Sequence, residues 1–428
     1  MEEVLETAEL RKKYLIGAKA FTRRRDLTFE RVAGLIINQL KRSLSIEIRE
    51  YFSALSPSVS CPGKSAFCQQ RSKISPLFFQ SWNSRLVELF YIFYGNHVQR
   101  WRGYLIQAVD GSTAYLMNKR DVITHFGVQE NQHVSIPMAR IMQIYDILND
   151  VSVWGDIYPI KESEQKIMME NVIRLPQNSI TLFDRGYPSF ALIYLLKNPG
   201  KERLFVMRAK EGFNNEVKAF MTSSKKDIIT YFKANDKARQ TLDEYGYQIS
   251  VGQRIKVRLV KVPLPGGQTE ILITNLYDQQ LYSIQDLSYL YFLRWGIETC
   301  YGKEKSQQQM EQFSGHRVIC IEQDYHATLF VANIQSLIEK QSLEYLDAVS
   351  KRRKYRYKIN RNASWAALKN TIFLLFLENN SMITLLYLQH LFEMNLEPVR
   401  EGRTFKRNFK AKRLNGKYQT FTNYKRAI

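Results

Sequence analysis

The sequence predicts an α/β core set between helical ends, and three observations predict it. Short apolar runs stop at an acidic residue and then lead into helix-like segments. A β-hairpin pattern occupies the middle of the chain. Apolar residues recur at helical spacing on both sides of that region.

Residues 1–98 read as helical. Phe29, Val32, Leu35, Ile36, Leu40 and Leu44 recur at helical spacing behind Thr28, a suitable N-cap, and Arg23, Arg24 and Arg25 precede them. A turn-rich stretch at 56–65 separates this helix from a second helical region. There Gln69, Gln70, Arg71 and Lys73 form a polar, basic run that suits either a DNA groove or a solvated helix face.

The character changes at Trp101. Residues 104–109 form an apolar strand that ends at Asp110, followed by Gly111 and Ser112. Residues 140–148 read as another strand. A third short run, 180–183, ends at Asp184; Arg185, Gly186, Tyr187 and Pro188 follow, and 189–196 suits a helix with Pro188 near its first turn. Residues 204–207 are strand-like. Residues 255–262 and 270–276, joined by the turn at 263–268, predict a hairpin, so that 200–282 reads as a β-rich insertion. Asp286 is placed to cap a helix running to about Gln309, and 325–338 and 364–377 are further helical segments. Residues 351–361 and 400–428 are basic with interleaved aromatics, including Tyr355, Tyr357, Phe405 and Tyr418.

Composition excludes wholesale disorder: of 428 residues, 45% are hydrophobic and 24% charged. The unusual quantity is a net charge of +21, which self-repels in a compact state unless a polyanion shares it. Residues 351–428 carry 18 Lys/Arg against 4 Glu, about two thirds of the excess, which points to a docking surface. Nucleic acid is the partner this charge fits best, ahead of an anionic membrane. Cys61, Cys68, Cys300 and Cys320 match no zinc spacing and read as reduced thiols of a cytoplasmic protein. The charged N-terminal stretch has no secretory pattern, and the longest apolar runs are too short for a bilayer.

Asp110 and Asp184 share a local pattern: an apolar strand, the carboxylate, then a glycine within two residues. Carboxylates at strand ends sit where open α/β sheets place their sites, and Asp oxygens suit a hard cation such as Mg²⁺. A turn role is the plain alternative. Glu298 supplies a third carboxylate. Tyr291, Arg294, Glu298 and Lys305 fall within about a 60° arc of one helix, a stripe better suited to a metal and a phosphate backbone than to a core. The plain alternative is a solvated face with an Arg294–Glu298 pair one turn apart.

The spacing Tyr-x2-Arg-x3-Glu-x6-Lys, with the blocks AVDGS around Asp110 and LFDRGY around Asp184, resembles the IS-four group of bacterial insertion-sequence transposases, members of the DDE transposase and retroviral-integrase superfamily. FTRRRDLTFERV, KSAFCQQRSKISP, EQFSG and IEQDYHA resemble other segments of that group, so the likeness spans roughly residues 20–340. It implies an RNase H-like catalytic core over 99–199 and 283–340 with a β-rich insertion at 200–282. An N-terminal helical DNA-binding domain would occupy 1–98 and a helical, basic C-terminal region 341–428. It further implies catalytic and metal-binding roles for Asp110, Asp184 and Glu298, holding two Mg²⁺ ions for which Mn²⁺ substitutes. Tyr291, Arg294, Lys305 and Arg185 would bind DNA phosphates. The implied partners are double-stranded DNA, as transposon terminal inverted repeats and target, and a second copy of the chain on paired ends. The implied setting is a bacterial cytoplasm, associated with the nucleoid and with no membrane. The basic hairpin residues Arg254, Lys256, Arg258 and Lys261 would contact terminal DNA, or else form an ordinary basic face. A catalytically silent DNA-binding protein derived from a transposase, and another RNase H-like nuclease, are the competing expectations.

Overall fold

The computed structural model describes residues 8–400 except Arg24, residues 56–59, 131–134, 264–268, Asn370 and residues 378–380. The readings of the extreme N-terminus, the centres of the turns at 56–65 and 263–268, and the tail at 401–428 lie outside the described residues. Contacts divide the chain into two compact units.

One unit, Tyr91–Thr113 with Arg140–Gly302, is built on a mixed sheet. In chain order the strands are β1 (Leu105–Tyr115), β2 (Val128–Glu130), β3 (Ser135–Asp146), β4 (Val151–Pro159), β5 (Ser179–Phe183), β6 (Leu204–Arg208), β7 (Asp227–Lys233), β8 (Arg254–Pro263) and β9 (Thr269–Thr274). They are ordered β4-β3-β1-β5-β6-β9-β8-β7, and β2 pairs with the N-terminal end of β3 in the other unit. β1, β5 and β6 run parallel, whereas β9, β8 and β7 add on antiparallel. The expected hairpin is present as β8–β9. Its strands continue the main sheet, because β9 pairs with β6 through Val206↔Thr274.

Two features of this unit differ from the sequence reading. β1 does not stop at residue 109. Its far side pairs with the long β3, so the backbone stays extended to Tyr115 although the side chains turn polar. The helix expected from Asp286 to Gln309 is capped instead by Ser283 and starts at Ile284. The Ser283 hydroxyl accepts from the Asp286 N–H while the Asp286 carboxylate accepts from the Ser283 N–H. The helix is then divided at Arg294 into α2 (Ile284–Leu293) and α3 (Trp295–Ser306); α1 (Glu164–Glu170) precedes both in the chain. The break is a local tightening, with the Arg294 N–H on the Tyr291 carbonyl and the Ile297 N–H on that of Arg294.

The sheet is apolar on both faces. Val109 and Phe183 join Met142, Ile144 and Leu192 on one side. Ile106, Ile180 and Leu182 join Leu287, Leu290 and Tyr291 of α2 on the other. Alternation along a strand produces both faces from the same residues.

The other unit comprises Met1–Phe90, Ala114–Ala139 and Lys303–Ile428 and is mainly helical. The predicted N-terminal helix spans Phe29–Ile37, and the Thr28 side chain accepts from the Arg31 N–H. It is shorter than the apolar pattern suggested, because Gln39 takes a left-handed conformation (φ 55°) that turns the chain before Leu44 opens the next helix. At the centre lies α4 (Val318–Gln341), on which Trp82 stacks through Phe330 at 4.3 Å between ring centroids. Arg71 is a correction to the groove-reading expectation. It is 2% exposed, paired with Asp324 at 2.7 Å and with Gln323 at 2.6 Å, so its charge is spent inside the unit. The helix expected over 364–377 is divided into Arg361–Leu368 and Leu374–Leu377. Within the basic stretch 351–361, β10 (Arg356–Ile359) pairs antiparallel with β11 (Leu396–Val399). The four cysteines are free thiols, and among the described residues no helix is long and apolar enough to cross a membrane.

Candidate active site

The register of two strands sets the first pair of carboxylates. β1 and β5 pair in parallel from Leu105↔Ser179 to Val109↔Phe183. Asp110 and Asp184 are each the next residue, so they leave neighbouring strands at the same level. Counting back by twos, Asp110 continues the row of Ile106, and Asp184 that of Leu182 and Ile180, the face on which α2 lies.

α2 and α3 bring the remaining groups. Leu287, Leu290 and Tyr291 anchor α2 to that face. The Tyr291 hydroxyl reaches Asp184 Oδ1 at 3.5 Å. One turn later the Arg294 guanidinium lies 2.9 Å from Glu298 Oε1 and 3.9 Å from Asp110 Oδ2. Asp110, Asp184, Glu298, Tyr291 and Arg294 thus share one neighbourhood. Gly296 permits it, because a Cβ there would stand 2.8 Å from Ile147 Cγ2.

The expectation that Tyr291 and Arg294 occupy an open helix stripe is corrected: they are 6% and 4% exposed. Burial is tolerated because carboxylates flank the guanidinium and the rings of Trp295 and Tyr291 lie 5.0 and 5.8 Å from it. Arg294 Nε nevertheless has no acceptor among the described residues. Arg185 is exposed. Lys305 sits two turns beyond Glu298 on α3, in the other unit, where it pairs with Glu311 at 3.8 Å.

Asp110 carries the clearest electrostatic signature. Burial pushes its carboxyl up to about 7; the Gly111 N–H and Arg294 oppose the rise, while Glu164 and Asp184 add to it. A buried carboxylate with a second one at the same level of the next strand supplies oxygen donors of the kind a divalent cation takes. Among the described residues no three His, Cys, Asp or Glu side chains are gathered into a ready-made metal set. Arg294 stands between Asp110 and Glu298 in this arrangement. Beside the site opens a cleft of about 960 Å³ lined by Arg208, Lys226, Tyr289, Phe292, Arg294 and Trp295.

No family model matches the chain. It is similar to transposase InsG for insertion sequence element IS4 of Escherichia coli K12, at 23% identity over 201 residues, 46% of this chain and 43% of that protein. It is similar also to InsZ of the same organism, at 22% identity over 120 residues, 27% of this chain and 40% of that protein. The chain therefore spans less than half the length of the curated relatives it matches. A piggyBac transposase synaptic complex with hairpin DNA aligns over 98% of this chain and 90% of that one, with 11% identity and a TM-score of 0.46.

Three neighbours of the site escaped the sequence reading. Glu164 of α1 lies against Gly111 and pairs with Arg140. Tyr301 donates to the Asp110 carbonyl at 2.8 Å. Glu270 of β9 pairs with Arg208 at 2.9 Å, and burial raises its carboxyl. Glu164 and Glu270 stand at no glycine-flanked strand end and in no charged spacing, so only pairing across the fold reveals them; Tyr301 lies inside the Tyr291–Lys305 spacing, three residues after Glu298, which could have found it. Conversely, two cations expected on DNA are structural. Arg258 is wholly buried on Asp227 at 2.6 Å, and Lys261 donates to the Met221 and Ser223 carbonyls. Arg254 and Lys256 remain exposed.

Proposed function

We propose that this chain is a DNA transposase of the DDE type, cleaving transposon ends and joining them to target DNA with Asp110, Asp184 and Glu298. The observation that carries this reading is the strand register that puts Asp110 and Asp184 at matched ends of neighbouring parallel strands, with Arg294 lying between Asp110 and Glu298. The similarity to transposase InsG supports it independently.

Asp110, Asp184 and Glu298 would hold two Mg²⁺ ions, with Mn²⁺ as a substitute; when bound, such ions stabilise the attacking and leaving oxygens and activate water or a 3′-hydroxyl. The chain's own groups position the DNA. Arg294 keeps a buried Nε–H without an acceptor among the described residues, which a phosphate oxygen can fill. Tyr291, Lys305 and Arg185 are assigned to the same backbone, and Arg208 and Lys226 make the neighbouring cleft attractive to a polyanion. The sheet unit acts as an RNase H-like core, the helical and basic regions bind DNA, and two copies act on paired ends.

The test is nicking of duplexes carrying the inverted repeats that flank the gene, in Mg²⁺. Asp110→Ala, Asp184→Ala and Glu298→Ala should each abolish nicking and leave duplex binding intact. Cleavage retained by any of the three refutes the triad.

A further inference from the structure

Glu164 belongs to no element of the proposed triad, yet it is built into the wall beside it. α1 starts at a capped N-terminus, where the Ser163 hydroxyl accepts from the Lys166 N–H, and this fixes Glu164 at the first helical position. Its carboxylate lies so close to Gly111 that a Cβ there would stand 2.5 Å from it. Arg140 of β3 pairs with that carboxylate. Arg140 is itself tied down, its Nη2 donating to the Ile160 carbonyl at 3.3 Å. The residue after Glu164, Gln165, donates from Nε2 to the Gly186 carbonyl at 2.8 Å, in the turn that follows Asp184.

The consequence runs through Gly111. Its N–H donates to Asp110 Oδ1 at 2.9 Å, so the plane of that peptide sets the orientation of the Asp110 carboxylate. A side chain clamped against the Gly111 α-carbon restrains that plane. Gln165, beside Glu164 on α1, holds the turn that follows Asp184. We propose that Glu164, held by Arg140, is a positioning residue: it clamps Gly111, while its neighbour Gln165 holds the turn after Asp184, so that Asp110 and Asp184 present their oxygens together to a divalent cation. Gly111 is required as glycine for the same reason. Any side chain there would push the Glu164 carboxylate off Arg140.

This role rests on the proposed metal-dependent reading, and one experiment separates the two. The probe is Mn²⁺ bound to the full-length chain without DNA, followed by electron paramagnetic resonance. The wild type should bind Mn²⁺, and Asp110→Ala should remove that binding. Glu164→Gln should weaken it by about 10–100-fold, the usual loss when an outer partner of a metal ligand is removed. Nicking by this variant should recover towards wild-type kcat at saturating Mn²⁺, which a general unfolding defect would not allow. Gly111→Ala changes no charge and displaces the same carboxylate, so it should weaken Mn²⁺ comparably. An Asp110-dependent wild-type isotherm that either variant leaves unchanged overturns the positioning role and spares the triad. A wild type that binds no Mn²⁺ through Asp110 overturns both.

Discussion

Arg294 Nη2 lies 2.9 Å from Glu298 Oε1, four residues on, while its Nη1 lies 3.9 Å from Asp110 Oδ2 on the sheet. One guanidinium therefore links the carboxylate delivered by a helix to one delivered by a strand, and retains a donor for something else. Replacing it separates the roles of charge and fork. Arg294→Ala should weaken binding of the cleaved DNA end by about 10–100-fold, equivalent to about 1.5–3 kcal/mol for hydrogen bonds to a charged group. Arg294→Lys should recover only part, because an ammonium cannot span both carboxylates and a phosphate. Fluorescence anisotropy with pre-nicked ends measures both. End binding and cleavage unaffected in Arg294→Ala would dismiss the phosphate-clamp assignment.

Gly296→Ala should destabilise the chain even though alanine favours helix by up to about 1 kcal/mol. The new methyl would meet Ile147 Cγ2 at 2.8 Å in a packed seam, where overpacking costs about 1–3 kcal/mol. Shortening the partner with Ile147→Val in the Gly296→Ala background should return part of the loss. Thermal melts of the single and double variants report this, and a Gly296→Ala chain more stable than wild type would contradict the close approach.

Arg258→Met should cost about 3–5 kcal/mol, since it leaves Asp227 in a largely buried place without its cation and removes donors from the Leu276 and Tyr282 carbonyls. Its neighbours Arg254 and Lys256 point outward, so Arg254→Gln should leave the unfolding midpoint within about 0.5 kcal/mol of wild type. Urea titrations of the two variants should diverge accordingly. Equal midpoints would mean that Arg258 is a surface cation after all.

Lys41 gives the stability a basic-pH slope. Burial lowers its ammonium to about 8, against the opposing attraction of Asp324 and Glu47, while it donates to the Gln309 and Gln312 carbonyls. An unfolded lysine releases its proton near 10.4. Between these values the unfolded chain holds a proton that the folded one has lost. The Lys41 contribution therefore turns more favourable as pH rises from about 8 towards 10, and is constant at its least favourable below that window. The gain is on the order of 2 kcal/mol across the window. Urea midpoints at pH 7.5, 8.5 and 9.5 should rise more steeply in wild type than in Lys41→Met. Parallel profiles would show that another group carries the slope.

Much of the site was legible because it is written in local patterns. Asp110 and Asp184 follow apolar runs, and Tyr291, Arg294 and Glu298 follow helical spacing; both periods survive folding. What the pattern could not carry was the third dimension. A charged stripe predicts exposure, yet Arg294 is buried between Glu298 of its own stripe and Asp110 of β1, far away in sequence. Arg71 and Arg258 read as DNA-facing cations for the same reason, their partners Asp324 and Asp227 being supplied by other elements. Glu164 stood next to a plain helix start, and only the pairing of β1 with β3 brings Arg140 and Gly111 to it.

The parallel register from Leu105↔Ser179 to Val109↔Phe183 makes spacing, as well as composition, heritable at this place. A strand turns over every residue, so losing one amino acid between 105 and 109 would send the acid after it to the opposite side of the sheet, among Met142 and Leu192. Copying errors of one codon there should silence the chain as thoroughly as replacing the acid itself. A two-codon loss would keep the acid on its own side but draw it back by roughly 7 Å along the strand.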